Sequence, residues 1–399
     1  MPNYDAPMAI NNLGQCLMEF IFWISFLGVL YAYLLYPVTL FVWGKIWPKP
    51  IVSISQQTPF TPNISIVMPL HNEAHVVEGK LKNIEDLDYP SDAIDLVVVS
   101  DGSTDETVDL VRKYQQSGSK LQINLVEIDD RKGKANALNH GLSAASAEFL
   151  VFTDASIMLE ASALKAIMAP FQDSDVGCVS GEDHIPDGGG EGLYGRYELF
   201  LRNQESKVGS IVGASGSFYA QRRQLCVPFV EGMAPDFLSV LCTVEKGYRA
   251  VTEPLAIGTM SSTKSNQQEF QRKVRTLVRG LAAIFYKKPL MNPFRYGVFS
   301  FILLSHKLAR WSVPFFLILL VLSNLFLIDG PFYLVFLFLQ VVFYLVAIIA
   351  GYISATVAKS IVGKIALYFS MVNIAIFIAW IRYFSGFRQE VWEPTKRES

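Results

Sequence analysis

The chain has 399 residues, 51% of them hydrophobic and 18% charged, which is too apolar for an ordinary soluble enzyme. Its formal net charge is -2, and no basic run interleaved with aromatics points to a nucleic-acid partner. Cys16, Cys178, Cys226 and Cys242 are scattered without a CxxC pair, which supports neither a zinc site nor a disulfide framework and fits a central domain in a reducing cytoplasm.

The elements, taken in chain order, begin with an uncharged run from Phe20 to Trp43. Crossing a bilayer takes roughly 20 apolar residues as helix, so this run predicts a membrane helix. It is long and lacks a basic n-region and a small-residue cleavage site, which argues against a signal peptide. The tail up to Gly14 has no Lys or Arg, whereas Lys45 and Lys49 follow the run. That asymmetry places the central domain on the cytoplasmic side. A polar linker leads to Pro62.

The pattern then becomes regular. Strands are predicted at Ile64 to Met68, Asp95 to Ser100, Leu121 to Ile128 and Phe149 to Thr153. Helical spacing covers Glu73 to Ile84, Thr104 to Tyr114 and Lys134 to Ala145. Strands alternating with helices predict an α/β domain built on a mainly parallel, Rossmann-like sheet. In such sheets the working residues sit beyond the carboxyl ends of the strands. Asp101 and Asp154 stand at two of those ends. Each suits nucleotide or metal binding, and each equally suits a helix N-cap. Asp105 reads as a plain helix-start acid. Between the two strand tips lies DDRKGKANALNHG, where Arg131, Lys132 and Lys134 surround Gly133 at a helix start. Exposed amides and cations there suit a diphosphate. Neither GxxxxGK[ST] nor GxGxxG is present, so ATPase and dinucleotide readings lose their support.

Further apolar runs cover Trp311 to Ile328, Phe332 to Ala358 and Ile365 to Ile381. Three crossings put the C-terminus outside, yet Arg382, Arg388, Lys396 and Arg397 favour inside,. The segment Tyr296 to Arg310, with His306, Lys307 and Arg310, is predicted to lie along the interface as an amphipathic helix.

As an ordered set, SIVMPLHNEAHVV, VVVSDGSTDET, DRKGKANALNHG, FTDAS, GASGSFYAQRR and APDFLSVLCTVEKGYRAVTEPLA resemble the family-2 glycosyltransferases, inverting nucleotide-sugar enzymes with a GT-A fold. The resemblance covers roughly Ile64 to Gly280 and implies roles residue by residue. Asp101 and Glu73 would line the nucleotide pocket. Lys134 would lie beside the donor phosphates. Asp154 and Ser156 occupy the metal-binding DxD positions, for Mg²⁺ or Mn²⁺. Asp236 would be the catalytic base, and its alternative is a turn acid after Pro235. Gly213, Ser215 and Gly216 fall in an acceptor-side segment. In place of the QxxRW motif of polymerising members stands QRKVRTLVRG, with Arg272 and Arg275 read as a diphosphate-facing pair or else a cationic membrane-proximal helix. Thr276 replaces the Trp, which removes an aromatic platform. Ser156 replaces the second DxD acid, and Pro235 the acid before the base. Glu198 and Arg202 are spaced as an i,i+4 surface pair. GGGEG, Gly188 to Gly192, reads as a lid or a connector.

The expected plan is a tail over 1–16, a membrane helix over 17–45, a linker over 46–62, a GT-A domain over 63–280, an interfacial segment over 281–310, about three membrane helices over 311–385 and a tail over 386–399. The expected function is transfer of a sugar, from a UDP-sugar first, to a lipid-linked saccharide at a bacterial inner membrane. Assembly with other polysaccharide-forming proteins is compatible with it. A processive synthase, a polyprenyl-phosphate transferase and a non-catalytic scaffold are the competing readings.

Overall fold

The computed structural model describes residues 6–52, 60–185, 189–261 and 266–387. One eight-stranded sheet organises the central domain. Its strands are β1 (Ile64–Leu70), β2 (Ile94–Asp101), β3 (Gln122–Ile128), β4 (Phe149–Thr153), β5 (Met158–Leu159), β6 (Val176–His184), β7 (Phe218–Arg222) and β8 (Arg249–Thr259), in spatial order β3-β2-β1-β4-β7-β6-β8-β5. The half from β3 to β4 is parallel, with Ile64 opposite both Ile94 and Phe149. β7 runs antiparallel to β4 and β6, and β8 returns parallel to β6. Every residue of β1 is buried. A strand covered on both faces reads as an unbroken apolar run rather than an alternation. The helix Lys134–Ala144 lies so close to β1 that a Cβ at Gly141 would sit 2.4 Å from Val67. All four cysteines are free.

The first predicted helix starts later than its spacing suggested. It spans Val77–Glu85, because the preceding loop is tied down elsewhere. Asn72 takes a positive φ of 53°. The Ala74 amide donates to Asp105, and the Glu73 amide donates to the Thr107 hydroxyl. Glu73 therefore stands in a loop at the strand tips. Asp105 also accepts the Thr107 amide at 3.1 Å, the plain role expected of it.

Four helices are long and apolar enough to cross a membrane: Leu13–Ile46, Val298–Phe326, Pro331–Ile353 and Ile361–Phe384. Phe338, Leu339 and Val335 of the third are more than half exposed, an apolar surface that suits lipid. The first and second meet closely, since a Cβ at Gly28 would lie 2.7 Å from the Phe316 ring. The Trp380 indole donates to the Trp311 carbonyl at 2.7 Å and ties the fourth to the second.

Two expectations change here. The segment 281–310 is not one amphipathic helix on a surface. From Val298 onward it belongs to the long helix, and Ser305, His306 and Arg310 are buried. GGGEG is not an open loop, because the helix Gly189–Val208 begins inside it; Gly188 lies outside the described residues, as do Arg388, Lys396 and Arg397.

That helix explains the burial. Glu198 does not pair with Arg202, whose guanidinium donates to Ser180 at 2.8 Å instead. Glu198 accepts from Arg310 and His306, and Arg310 also meets the Tyr194 hydroxyl. Glu205 accepts from Tyr36 at 2.7 Å and from His306. His306 and Arg310 of the predicted interfacial segment thus find carboxylates on the central domain, which removes them from the bilayer surface.

Candidate active site

Asp101 ends β2 and is 1% exposed. Its two carboxylate oxygens accept the Lys132 amide at 2.9 Å and the Gly133 amide at 2.7 Å. The acid therefore clamps the loop that leads into Lys134–Ala144. The N-cap alternative is half right: Asp101 satisfies amides at the approach to the next helix, not its own. Two glycines permit this. Gly133 has φ 97°, and a Cβ on Gly102 (φ 61°) would lie 2.6 Å from the Arg131 nitrogen, a conformation and a contact that suit only glycine.

Beside this clamp, Glu73 is 5% exposed. Burial, then repulsion from Asp154 and Asp105, pushes its carboxyl up to about 7, against the pull of Lys134. A folded-state value above the unfolded one means that Glu73 stabilises the fold at low pH. That contribution falls away as pH rises from about 4.5 to about 7,. With no divalent ion added, Glu73→Gln is expected to flatten this part of the stability profile, gaining about 3 kcal/mol over the wild type at pH 8 relative to pH 5. Thermal unfolding of both proteins across that range checks it.

Beneath the DAS segment lies a residue that the sequence analysis missed. Lys80 is fully buried and donates to the Ile157 carbonyl at 2.6 Å. Burial lowers its amine to about 7, and the charge of Asp154 opposes this. The only sequence signal was a lysine among Val77, Leu81 and Ile84 on the buried face of an amphipathic helix.

Antiparallel pairing of β4 with β7 brings FTDAS against GASGS. Thr153 lies opposite Phe218, and the Asp154 amide donates to the Ser217 carbonyl at 3.0 Å. Lys134 crosses this junction. Its Nζ donates to Asp154 Oδ1 at 2.5 Å and to the Gly216 carbonyl at 3.2 Å. Close to Gly216 is also Asp236, in the first turn of the helix Pro235–Glu245. A Cβ at Gly216 would lie 3.9 Å from its carboxylate. Pro235 at the first helical position and an extended Ala234 set this start,. Burial raises the Asp236 carboxyl, while Lys134 and Lys307 oppose the shift. A half-buried carboxylate with a raised pKa is a better proton acceptor than an exposed one.

Ser215 plays a different part. Its hydroxyl donates to Asp183 at 2.5 Å and accepts the Ser217 and Phe218 amides. It shapes the GASGS turn from a buried position. Arg272 is also diverted. It pairs through two nitrogens with the buried Glu269 of its own helix, at 2.7 and 2.9 Å. Arg275 and Arg279 lie one helical turn apart on the same helix. Burial, then Arg275, lowers Arg279 to about 10, and the charge of Asp236 opposes this. Arg279 thus remains charged at neutral pH beside the site. The sequence analysis did not single it out, although its spacing from Arg275 was visible.

Among the described residues, no group of three or more His, Cys, Asp or Glu side chains is arranged to hold a metal. The DAS segment offers one carboxylate and one hydroxyl, Asp154 and Ser156. That set fits a hard cation that takes most of its ligands from phosphate and water, and does not form a protein cage.

Residues 65–226 match the model of glycosyl transferase family 2. The chain carries a family-2 glycosyltransferase domain. The poly-beta-1,6-N-acetyl-D-glucosamine synthase of Staphylococcus aureus (strain COL) is 23% identical over 240 residues, covering 57% of this chain and 56% of the relative. That of Staphylococcus epidermidis is 26% identical over 164 residues, 39% of this chain and 38% of the relative. The chain thus matches about half the length of these relatives. A solved mannosyltransferase from Pyrobaculum calidifontis, in complex with GDP-Man and Mn2+, is 25% identical with a TM-score of 0.72, covering 92% of this chain and 99% of that one. The transferase domain has the expected mixed α/β GT-A sheet, flanked by helices of membrane-spanning length.

Proposed function

We propose that this glycosyltransferase is an inverting enzyme of a bacterial inner membrane, with its transferase domain on the cytoplasmic side. It moves a hexosyl group from a nucleotide sugar to a lipid-linked saccharide. The observation that carries this reading is the convergence of Lys134, Asp154 and Asp236 on the Gly216 turn, beside helices long enough to span a bilayer.

The donor nucleotide lies over the Asp101 clamp and beside Glu73. An ionised carboxylate accepts about four hydrogen bonds, so Asp101 has capacity for the nucleotide beyond its two amides. Lys134, Arg275 and Arg279 face the diphosphate and stabilise the charge that builds on it as the glycosidic bond breaks. Asp154 and Ser156 would hold Mg²⁺ or Mn²⁺ against the phosphates, where such an ion neutralises leaving-group charge. Asp236 takes the proton from the acceptor hydroxyl. The hydroxyl oxygen bonds to the anomeric carbon from the side opposite the diphosphate. The nucleoside diphosphate departs with the electron pair, and the configuration inverts.

The membrane half supports a lipid-linked acceptor. A largely apolar cavity of about 670 Å³ lies among the last two membrane helices and is bordered by Gln267 and Phe270. Those two residues share the helix that carries Arg275 and Arg279. An acceptor's lipid chain would lie there with its head towards Asp236. A processive synthase is the second reading, favoured by the names of the staphylococcal relatives. Against it, the membrane helices are strongly apolar and offer few polar side chains to a saccharide,. The Asn324 amide reaches Gln340 at 3.4 Å, and that of Asn373 donates to the Phe369 carbonyl at 2.9 Å.

Two tests follow. In lipid nanodiscs, a panel of UDP-, GDP- and dTDP-sugars with and without Mg²⁺ or Mn²⁺ is expected to give metal-dependent nucleotide release from one donor. Donor binding without turnover, even with membrane-extracted acceptors, would favour a scaffold. Second, Arg279→Met is expected to lower kcat by about 100-fold, the scale of one lost electrostatic contact. Arg272→Met should act mainly on thermal stability through Glu269. Equal kinetic losses for the two variants would contradict this assignment.

A further inference from the structure

The helix Val298–Phe326 delivers one cation to the acceptor side of the site. A Cβ built on Gly213 would lie 3.8 Å from Lys307 Nζ. The same Nζ stands 5.8 Å from the centre of the Phe237 ring, next to Asp236. The GASGS turn is therefore bracketed, with Lys307 against Gly213 and the Asp236 carboxylate against Gly216. Both positions lack side chains and leave room between the two groups.

The carboxylates nearest to Lys307 along the buried network are otherwise engaged. Glu198 faces Arg310 and His306. Glu205 faces Tyr36, His306 and, at 3.3 Å, the Val212 amide. Among the described residues the Lys307 ammonium makes no hydrogen bond or ion pair, although the charges of Glu198, Glu205 and Asp236 act on it from further away. A half-buried ammonium without a direct partner is costly, and such charges are normally paired. The missing counter-charge belongs on whatever occupies the space between Gly213 and Gly216.

We infer that Lys307 binds a phosphate on the acceptor, at the same end of the acceptor as the hydroxyl activated by Asp236. The spacing limits the acceptor. Three residues of chain reach at most about 10 Å, so Gly213 and Gly216 lie within that distance, and the phosphate and the reacting hydroxyl belong to one short stretch of the acceptor. The inference rests on the transferase reading and narrows its acceptor to a sugar phosphate or pyrophosphate. The phosphate can be that of a lipid carrier or of a soluble sugar phosphate.

The test measures binding to the full chain in nanodiscs. The probes are farnesyl-pyrophosphoryl sugars, the matching uncharged farnesyl glycosides and the free sugar 1-phosphates, each with N-acetylglucosamine, glucose and mannose. The wild type is expected to bind one pyrophosphoryl probe at least tenfold more tightly than its uncharged counterpart. Lys307→Met should abolish that preference with donor affinity retained, and Lys307→Arg should keep most of it. Competition by the free sugar 1-phosphate at similar affinity would assign the phosphate to a soluble acceptor. Competition only by the farnesyl form would assign it to a lipid carrier. Equal binding of charged and uncharged probes by the wild type would overturn the inference, as would a preference that Lys307→Met leaves intact. Since binding is read without turnover, selective binding with no sugar transfer would instead count against the transferase reading alone.

Discussion

Asp236→Asn is expected to lower sugar transfer by about 1000-fold, the range for loss of a positioned general base, and to leave donor affinity nearly unchanged. Asn has the same shape, so the helix start at Pro235 and the contact with Gly216 persist. What is lost is the proton acceptor. Lys134 bonds to Asp154 and to the Gly216 carbonyl rather than to Asp236, so the cation beside the donor phosphates keeps its contacts in the variant. Steady-state transfer together with donor titration checks the split. A comparable fall in donor affinity would move Asp236 from the acceptor side to the donor side.

Arg310→Met is expected to destabilise the protein by about 3 kcal/mol, because removing one member of a buried ion pair leaves the other uncompensated. Arg310 is 4% exposed. Burial by itself would raise the Glu198 carboxyl, but Arg310 and then His306 outweigh it and hold that carboxyl well below the usual carboxylate range. Their interaction crosses from the membrane helix Val298–Phe326 to the transferase-domain helix Gly189–Val208, and Tyr36 of the first membrane helix joins through Glu205. The loss should therefore appear as earlier separation of the domain from its membrane helices on heating. A double variant, Glu198→Gln with Arg310→Met, should recover much of the stability, since neither charge is then left alone. Thermal unfolding in nanodiscs measures both. An unchanged midpoint in Arg310→Met would mean that the network does not dock the two halves.

The parts of this site visible in the sequence were those set by local chain. Asp101 and Asp154 follow apolar strands directly, so the rule for parallel sheets placed them correctly at the sheet's carboxyl edge. The helix start at Lys134 showed itself through Gly133 and the flanking cations. What the sequence hid depends on distant partners. Glu198 and Arg202 looked like a surface pair because their spacing is four. Only the fold reveals that Arg310, 112 residues away, takes one and Ser180 the other. Charges in Tyr296 to Arg310 suggested an interfacial helix for the same reason, as the carboxylates that receive them lie on another element. Arg272, near the motif's Gln position, also bonds Glu269 three residues earlier, a partner that the motif does not announce. Tyr194 and Tyr368, with centroids 5.3 Å apart, come together beside Lys273 from elements far away in sequence.

The most direct test of the account is transfer of labelled sugar from a nucleotide donor into the lipid-extractable fraction, with purified protein in nanodiscs containing bacterial lipid-linked saccharides. The account predicts label in the lipid fraction with the wild type, dependent on a divalent ion, and about 1000-fold less with Asp236→Asn. Equal labelling by the two proteins, or donor consumption with no label reaching any lipid or saccharide, would contradict it.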